Sequence, residues 1–383
     1  MSNTITNVTP QLLAAGLLAL RENAILPRLV DKSYSSMAAQ RGNVINIPIS
    51  DSIAARTVTP SVTMNSNVDT SPGTVAVTLD YWYEAPFNMS DTDQLSTHES
   101  YIPMNVSEAV KALVNTIDDT IWGKHTALYR TGGTAGTTPF ATVIDAATSA
   151  MLGLDVELAP ESSRVAVLDP HARTNFLKLS NILEFQKSGD TGPIIKGQIG
   201  EKLGIDWFMD QRLGRFTAGS SWVTGWAVAG TGTIGASTLT IVNATVTVLA
   251  QIKVGDIFAL GGYEYAITTA KTTASVTDGT AIVFYPPLKT VIASDDAITV
   301  GTYGTQYTVN LMFHPKCFAF ASRPLASSKV PGVSNVISQA IDPVSGVALR
   351  VELSRQYKQD TYSYDALWGT GVVRKEFGAK ILG

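Results

Sequence analysis

Charged side chains make up only 16% of this 383-residue chain, against roughly 25% in an average globular protein. Apolar residues stand at 45%, an ordinary share, so the deficit falls on the surface. A surface poor in charge suits coverage by neighbouring molecules; a Thr- and Ser-rich exterior is the plain alternative. Net charge is −4 and no basic run occurs, which argues against an electrostatic grip on nucleic acid. A single cysteine, Cys317, excludes an internal disulfide framework and suits a reducing cytoplasm. The apolar run Leu12 to Leu20 is too short to span a bilayer. No Lys or Arg precedes it, and Arg21 and Glu22 follow directly, so the chain reads as soluble and without a signal peptide.

Motifs that carry chemistry are equally scarce. There is no Gly-x-Ser-x-Gly elbow and no Walker loop, since Gly200-Glu201-Lys202 lacks the spacing. Gly230-Thr231-Gly232-Thr233-Ile234-Gly235 matches the dinucleotide fingerprint, with Asp256 at a suitable distance beyond it. That fingerprint needs a helix straight after it, and Thr238 to Leu249 alternates as strand. Asp91, Asp93, His98 and Glu99 lack the loop spacing of a hard-cation site and read as helix-capping and solvated groups. His314 and Cys317 cannot make a zinc site without further ligands and read as packing residues. The four histidines are scattered, and His125, beside Lys124, reads as a surface residue. No catalytic, cofactor or metal residues are expected.

What is present is pattern. The stretch from Ala227 to Asn310 is rich in Thr, Val and Gly and carries eight charged side chains. Thr238–Val242, Thr245–Leu249, Asp256–Leu260 and Ala281–Tyr285 alternate as strands. Gly255, Gly261-Gly262, Asp278-Gly279 and Pro286-Pro287 mark turns between them. This is an all-β module placed within a mixed helix/strand fold. A chain of this length allows two or three domains.

Thr9-Pro10 opens an amphipathic helix, with Leu13, Leu17 and Leu20 on one face, ended or kinked at Pro27. Val44 to Ile49 reads as a strand. Residues 51 to 80 are Ser- and Thr-rich and form a long hairpin with too few apolar residues for a core of its own. Val75 to Tyr81 gives a further strand. Pro103 to Arg130 is the strongest helix, with Val106, Val110, Leu113, Ile117, Ile121 and Leu128 on one face. At 1.5 Å per residue it would run roughly 42 Å. Beyond it, Ile144 to Leu154 reads as helix and Ser163 to Leu168 as a buried strand. Asp169-Pro170 caps a helix through Phe185. Thr308 to Phe313 is a strand, His314-Pro315 opens a short helix, and Val347–Leu353 and Thr361–Val373 are closing strands.

In that order the elements resemble the major capsid (coat) protein of tailed bacteriophages. The nearer match is the Salmonella podophage coat-protein family, which adds an inserted β-domain to the Hong Kong 97-type shell fold. Several stretches carry the likeness: Asn43-Val44-Ile45-Asn46-Ile47-Pro48, Leu168-Asp169-Pro170, Lys253-Val254-Gly255-Asp256-Ile257-Phe258 and Phe313-His314-Pro315 through Arg323-Pro324-Leu325. Ala366-Leu367-Trp368-Gly369 and Gly371-Val372-Val373-Arg374-Lys375-Glu376 complete them. An Arg-Pro-Glu is common in that family where Arg374-Lys375-Glu376 stands here.

The resemblance implies an α+β Hong Kong 97-type capsid fold with an inserted all-β domain. Its parts would be an N-terminal arm at 1–42 and an extended hairpin at 43–80. A peripheral domain would take 81–135 and 351–383, with a spine helix at 103–130. An axial domain would take 136–226 and 307–350, and the inserted β-domain 227–306. It implies a non-enzymatic subunit without cofactors, which self-assembles into hexamers and pentamers of an icosahedral shell around dsDNA. Scaffolding protein and portal would be partners in assembly, packaged dsDNA a non-specific partner on the inner face, and a decoration protein a further one, with no membrane involved. Assembly would take place in the bacterial host cytoplasm and the protein would end in the virion capsid. Leu13, Leu17, Arg21 and Arg28 on the arm, and Arg56 and Asp69 on the hairpin, are the candidate assembly contacts. Another self-assembling phage component, a tail-tube or decoration protein, is the alternative; it would hardly need so long a spine helix.

Overall fold

The longest helix of the chain runs Tyr101–Trp122. Val106, Val110, Leu113, Val114, Ile117 and Ile121 fall on its buried stripe, at the three- and four-residue spacing that puts side chains on one face. The sequence predicts this helix to continue to residue 130. Instead it tightens at Gly123 into a 3-10 turn, Gly123–Ala127, and the chain enters a strand at Arg130–Gly132. Leu128 is buried all the same, but on extended backbone, so its position in the helical repeat was coincidental.

The computed structural model describes residues 8–34, 43–50, 53, 55, 57–58, 60, 72–96, 101–183, 199–219, 225–243, 250–273, 279–300, 306–326 and 335–383. Most of the expected hairpin between residues 51 and 71, the expected strand at 245–249, the stretch 184–198, and His98 and Glu99 lie outside them. The chain divides into two units. One comprises Met1–Arg21, Lys32–Leu113 and Ala319–Val373; the other Glu22–Asp31, Val114–Phe318 and Arg374–Gly383.

The first unit is built on the strand Gln359–Val372. Tyr81–Ser90 pairs antiparallel along it, Trp368 opposite Tyr81, and Ala348–Gln356 pairs antiparallel with its first half. Val336–Ile341 adds an edge, and Phe318–Ser322 completes five strands. Tyr81 and Tyr83 both stack on Trp368. A separate antiparallel pair, Val44–Ile49 with Gly73–Thr78, alternates strictly. Its inward residues Ile45, Ile47 and Val77 pack with Leu79, Ala319 and Ala321.

The second unit holds two large sheets. The first is mixed, in the order Arg130–Gly132, Gly378–Leu382, Gln306–Phe313, Arg164–Leu168, Ile205–Met209, Glu201–Lys202, with Arg215–Thr217 pairing beside Gln306–Phe313. Arg164–Leu168 is buried at every position, as befits a strand covered on both faces. The helix Asp145–Val156 presents Ala146, Ala147, Ala150 and Leu154 to the core shared with Phe176 and Trp207. Small alanines let it approach closely; a Cβ on Gly132 would fall 2.2 Å from the Ala146 carbonyl oxygen. The capped helix is shorter than the sequence predicts, Pro170–Lys178, followed by a turn of helix at Ser180–Leu183. Asp169 is its N-cap, accepting from the His171 and Ala172 N–H groups. The expected helix at His314-Pro315 is a single 3-10 turn, Pro315–Cys317, which leads straight into a strand.

The second sheet is the expected all-β insertion. Six antiparallel strands run in the order Thr299–Val300, Ile257–Leu260, Tyr263–Ile267, Thr280–Tyr285, Thr238–Asn243, Trp226–Val228. Their inward residues form a core of their own around Trp226, Ile241, Phe258, Tyr265, Ile282 and Phe284. Tyr263–Ile267, which the alternation alone left unassigned, pairs with Ile257–Leu260 through the Gly261-Gly262 turn.

Candidate assembly interface

The helix Val8–Asn23 carries three of the six candidate contact residues. Leu13 is buried in its own unit with Leu12, Ala19 and Leu20. The Tyr364 hydroxyl donates to the Leu12 carbonyl at 3.0 Å, and a Cβ at Gly16 would meet the Tyr364 ring at 3.0 Å and Leu349 at 3.2 Å. The apolar stripe of the arm is therefore satisfied within the chain; Leu17 is half-buried. The opposite face exposes Gln11, Ala14, Leu18 and Glu22, with Leu18 the one large apolar side chain among them.

Arg21 is exposed but engaged. Its Nε donates to Asp342 Oδ1 at 2.6 Å. Asp342 also accepts from the Ser345 N–H at 2.8 Å and hydroxyl at 2.7 Å. Burial raises the Asp342 pKa, but the Arg21 and Ser345 hydrogen bonds outweigh it and hold the carboxyl below its usual range. Arg28 is exposed on Leu26–Leu29 in the second unit. Arg56 and Asp69 lie outside the described residues.

In the second unit the inserted sheet is fastened to the mixed sheet by polar groups that the sequence did not flag. Lys380, on Gly378–Leu382, is 1% exposed, and its Nζ donates to the Gly255 carbonyl at 3.2 Å. Burial pushes its pKa down to about 7, against the pull of Asp256 and Glu264. Asp256, also buried, accepts from the Lys253 N–H at 2.7 Å and the Gly219 N–H at 3.1 Å; burial lifts its carboxyl to about 6. Glu264 accepts from the Thr131 N–H at 3.0 Å and from its hydroxyl, and Thr131 sits opposite Lys380 in the strand register. Glu157 binds Arg130 at 2.5 Å and Lys289 at 2.7 Å; burial raises its pKa, and the two cations more than reverse that. The Tyr285 hydroxyl donates to Glu376. A lone Lys within the otherwise apolar Gly378-Ala379-Lys380-Ile381-Leu382 was the available sequence signal.

His125 is a correction to the sequence reading. It is 2% exposed, not a surface residue. Its Nδ1 donates to the Trp122 carbonyl at 2.8 Å and its ring packs against Trp122 and Phe216. Burial first, then Lys380, push its pKa down to about 3, so it is neutral. No helix follows Gly230–Gly235; the next element is the strand Thr238–Asn243, so the fingerprint has no phosphate-binding helix N-terminus. Asp93 does cap a helix: its carboxylate accepts from the Ser90 N–H and hydroxyl, while its own N–H donates back to Ser90 Oγ, a reciprocal box. Asp91 pairs with Arg355 at 2.7 Å.

Among the described residues no group of three or more His, Cys, Asp or Glu could hold a metal ion. No described helix is long and apolar enough to cross a membrane. An open pocket of about 410 Å³ lies in the first unit between Trp82, Arg323, Leu325 and Arg350. Arg350 is committed there to Asp365, at 2.5 and 2.8 Å, and Trp82 Nε1 donates to the same carboxylate at 3.1 Å.

No protein-family model matches the chain, and no curated protein does. Solved structures do. A chain from Mycobacterium phage Che8 aligns with a TM-score of 0.51 at 15% identity, over 94% of this chain and 90% of that one. A chain from the capsid structure of the Cyanophage P-SCSP1u aligns with a TM-score of 0.51 at 14% identity, over 93% and 87%. The fold is thus the α+β Hong Kong 97-type shell fold, here with an inserted all-β domain.

Proposed function

We propose that this chain is the major capsid protein of a tailed bacteriophage, a structural and non-enzymatic subunit that closes into an icosahedral shell of hexamers and pentamers around dsDNA. The observation that carries this reading is the match along nearly the whole chain, insertion included, to a chain of a cyanophage capsid. A surface with few charges supports it, because most of a shell subunit's surface is covered by its neighbours.

The finer reading places the chain beside the Salmonella podophage coat proteins, on the strength of its inserted β-domain. The arm, 1–42, and the hairpin, 43–80, reach neighbouring subunits. Residues 81–135 with 351–383 act as peripheral domain, 136–226 with 307–350 as axial domain, and 227–306 as the insertion. Leu18 and Arg28, exposed on the arm, are better contact residues than Leu13, and Arg56 and Asp69 keep that role on the hairpin. Scaffolding protein, portal, packaged dsDNA and a decoration protein are the further partners, in the host cytoplasm during assembly and in the virion afterwards.

Negative-stain electron microscopy of the protein, expressed alone and with its neighbouring genes, tests this. Closed or polymorphic shells and sheets are expected. Discrete dimers or tetramers in both preparations would overturn the reading, and tubes would favour a tail component.

A further inference from the structure

The second unit buries two aspartates with no cation paired to either among the described residues. Asp118 lies one turn before the end of Tyr101–Trp122 and is 3% exposed. Its Oδ1 accepts the Leu26 N–H at 3.2 Å, and the Ile25 N–H is a second backbone donor to it. It thereby holds the segment Glu22–Asp31, with its short helix Leu26–Leu29, to the long helix. Asp210 follows the strand Ile205–Met209 and is also 3% exposed. Its Oδ1 accepts the Arg212 N–H at 2.8 Å, while its Oδ2 is buried with no hydrogen-bond partner. The Arg212 guanidinium points instead to Asp119, 2.9 Å away at the surface.

Two carboxylates cannot both stay charged in such a place unless something positive joins them. A divalent cation is the weaker occupant. Calcium takes six to eight oxygens, and no third His, Cys, Asp or Glu gathers here among the described residues. A proton suits two carboxyls, one of which has an oxygen left unpaired.

We propose that Asp118 and Asp210 share a proton, and that this proton operates a clasp: with it Asp118 holds the segment 22–31 on the long helix, and without it the two charges repel and the clasp loosens. The proposal rests on the packing of this unit and stands apart from the shell reading. Burial, and next the charge of Asp210, raise the Asp118 carboxyl well above its ordinary range; Asp119 adds to this and the Leu26 and Ile25 N–H groups oppose it. Burial likewise raises Asp210, with Asp119 adding and Arg212 opposing. When the folded pKa is raised, the folded state holds more protons than the unfolded one above the usual carboxylate range, so stability falls as pH rises through that window.

The test uses the full chain as wild type, Asp118→Asn and Asp210→Asn, with thermal midpoints and hydrogen exchange over residues 22–31 at pH 5 and pH 8. The wild-type midpoint should fall by about 3 °C or more between the two, and exchange over 22–31, corrected for the chemical rate, should quicken. Asp118→Asn keeps an oxygen for the Leu26 N–H and supplies a permanent donor towards Asp210, so both changes should flatten. Asp210→Asn should flatten them too, which covers the case where one variant fails to fold. An unflattened fall in the folded variants would overturn the proposal. So would a wild-type infrared spectrum at pH 6 without a protonated-carboxyl band that Asp118→Asn removes. Recovery of the pH 5 midpoint at pH 8 on adding calcium chloride would replace the proton with a cation.

Discussion

Lys380 donates its buried ammonium to the Gly255 carbonyl, 3.2 Å away, and so joins the last strand of the mixed sheet to a turn of the inserted one. Burial holds the Lys380 pKa near 7, far below an unfolded lysine at about 10.4. Between those values the unfolded chain binds more protons than the folded one, so this residue makes stability rise with pH. Wild-type protein should therefore gain up to about 2 kcal/mol between pH 7.5 and pH 9.5 from Lys380. Lys380→Met should lose that gain while keeping the aliphatic packing. Urea unfolding at the two pH values measures the difference; equal slopes for both proteins would mean that the ammonium is not desolvated.

Gly255 is the other half of that contact and has its own requirement. Its φ is +93°, and a Cβ there would lie 2.9 Å from the Thr126 side chain. Gly262 shares the conformation, at φ +82°, with open space around the site. Both substitutions to Ala bear the backbone strain, on the order of 1–3 kcal/mol. Gly255→Ala adds a collision and should cost at least about 1 kcal/mol more than Gly262→Ala. Denaturant midpoints of the two variants, compared with each other, isolate the collision.

Which features were legible in the sequence follows from their range. The strand Thr238–Asn243, the buried strand Arg164–Leu168 and the N-cap at Asp169 announce themselves within a few residues. The overlong spine helix and the surface reading of His125 failed for one reason. At Gly123 the chain turns, and only the packing of Trp122 and Phe216 around His125 shows that the helical repeat has ended. Asp118 with Asp210, and Lys380 with Asp256, are partners 92 and 124 positions apart (210 − 118 and 380 − 256), and no local pattern pairs residues at that range. The arm contacts were half legible: the apolar stripe of Val8–Asn23 was visible, but not that Tyr364 and Leu349 in the same chain would cover it.

Arg21 illustrates the same point and can be tested. It pairs with a side chain, Asp342, that is fully buried, while Arg21 itself is about half exposed. Arg21→Ala should cost only about 1 kcal/mol, because solvent screens the pair and Ser345 still donates to the carboxylate. The pH dependence is the sharper readout. With its pKa held low, Asp342 contributes stability above the unfolded carboxylate range and loses it as pH falls through its folded value. Arg21→Ala should weaken that acid-side loss. An unchanged acid limb in chemical denaturation between pH 5 and pH 2 would show that the ion pair adds nothing in solution.

The inserted sheet carries its own core, and Trp226 belongs to it. Trp226 is almost fully buried among Ile241, Ile282 and Phe284, and its carbonyl accepts the Ile298 N–H at 2.9 Å. A fragment starting at residue 227 would thus lack a large core side chain and part of the edge strand Trp226–Val228. Truncating a buried Trp costs about 3–5 kcal/mol, as much as the core of a domain this small supplies. An isolated fragment of residues 225–306 should give a dispersed amide NMR spectrum with the slow exchange of a packed sheet. The 227–306 fragment should be largely unfolded at the same temperature. Random-coil spectra from both would mean that the insertion draws its stability from the Lys380 and Glu264 contacts with the mixed sheet and not from its own interior.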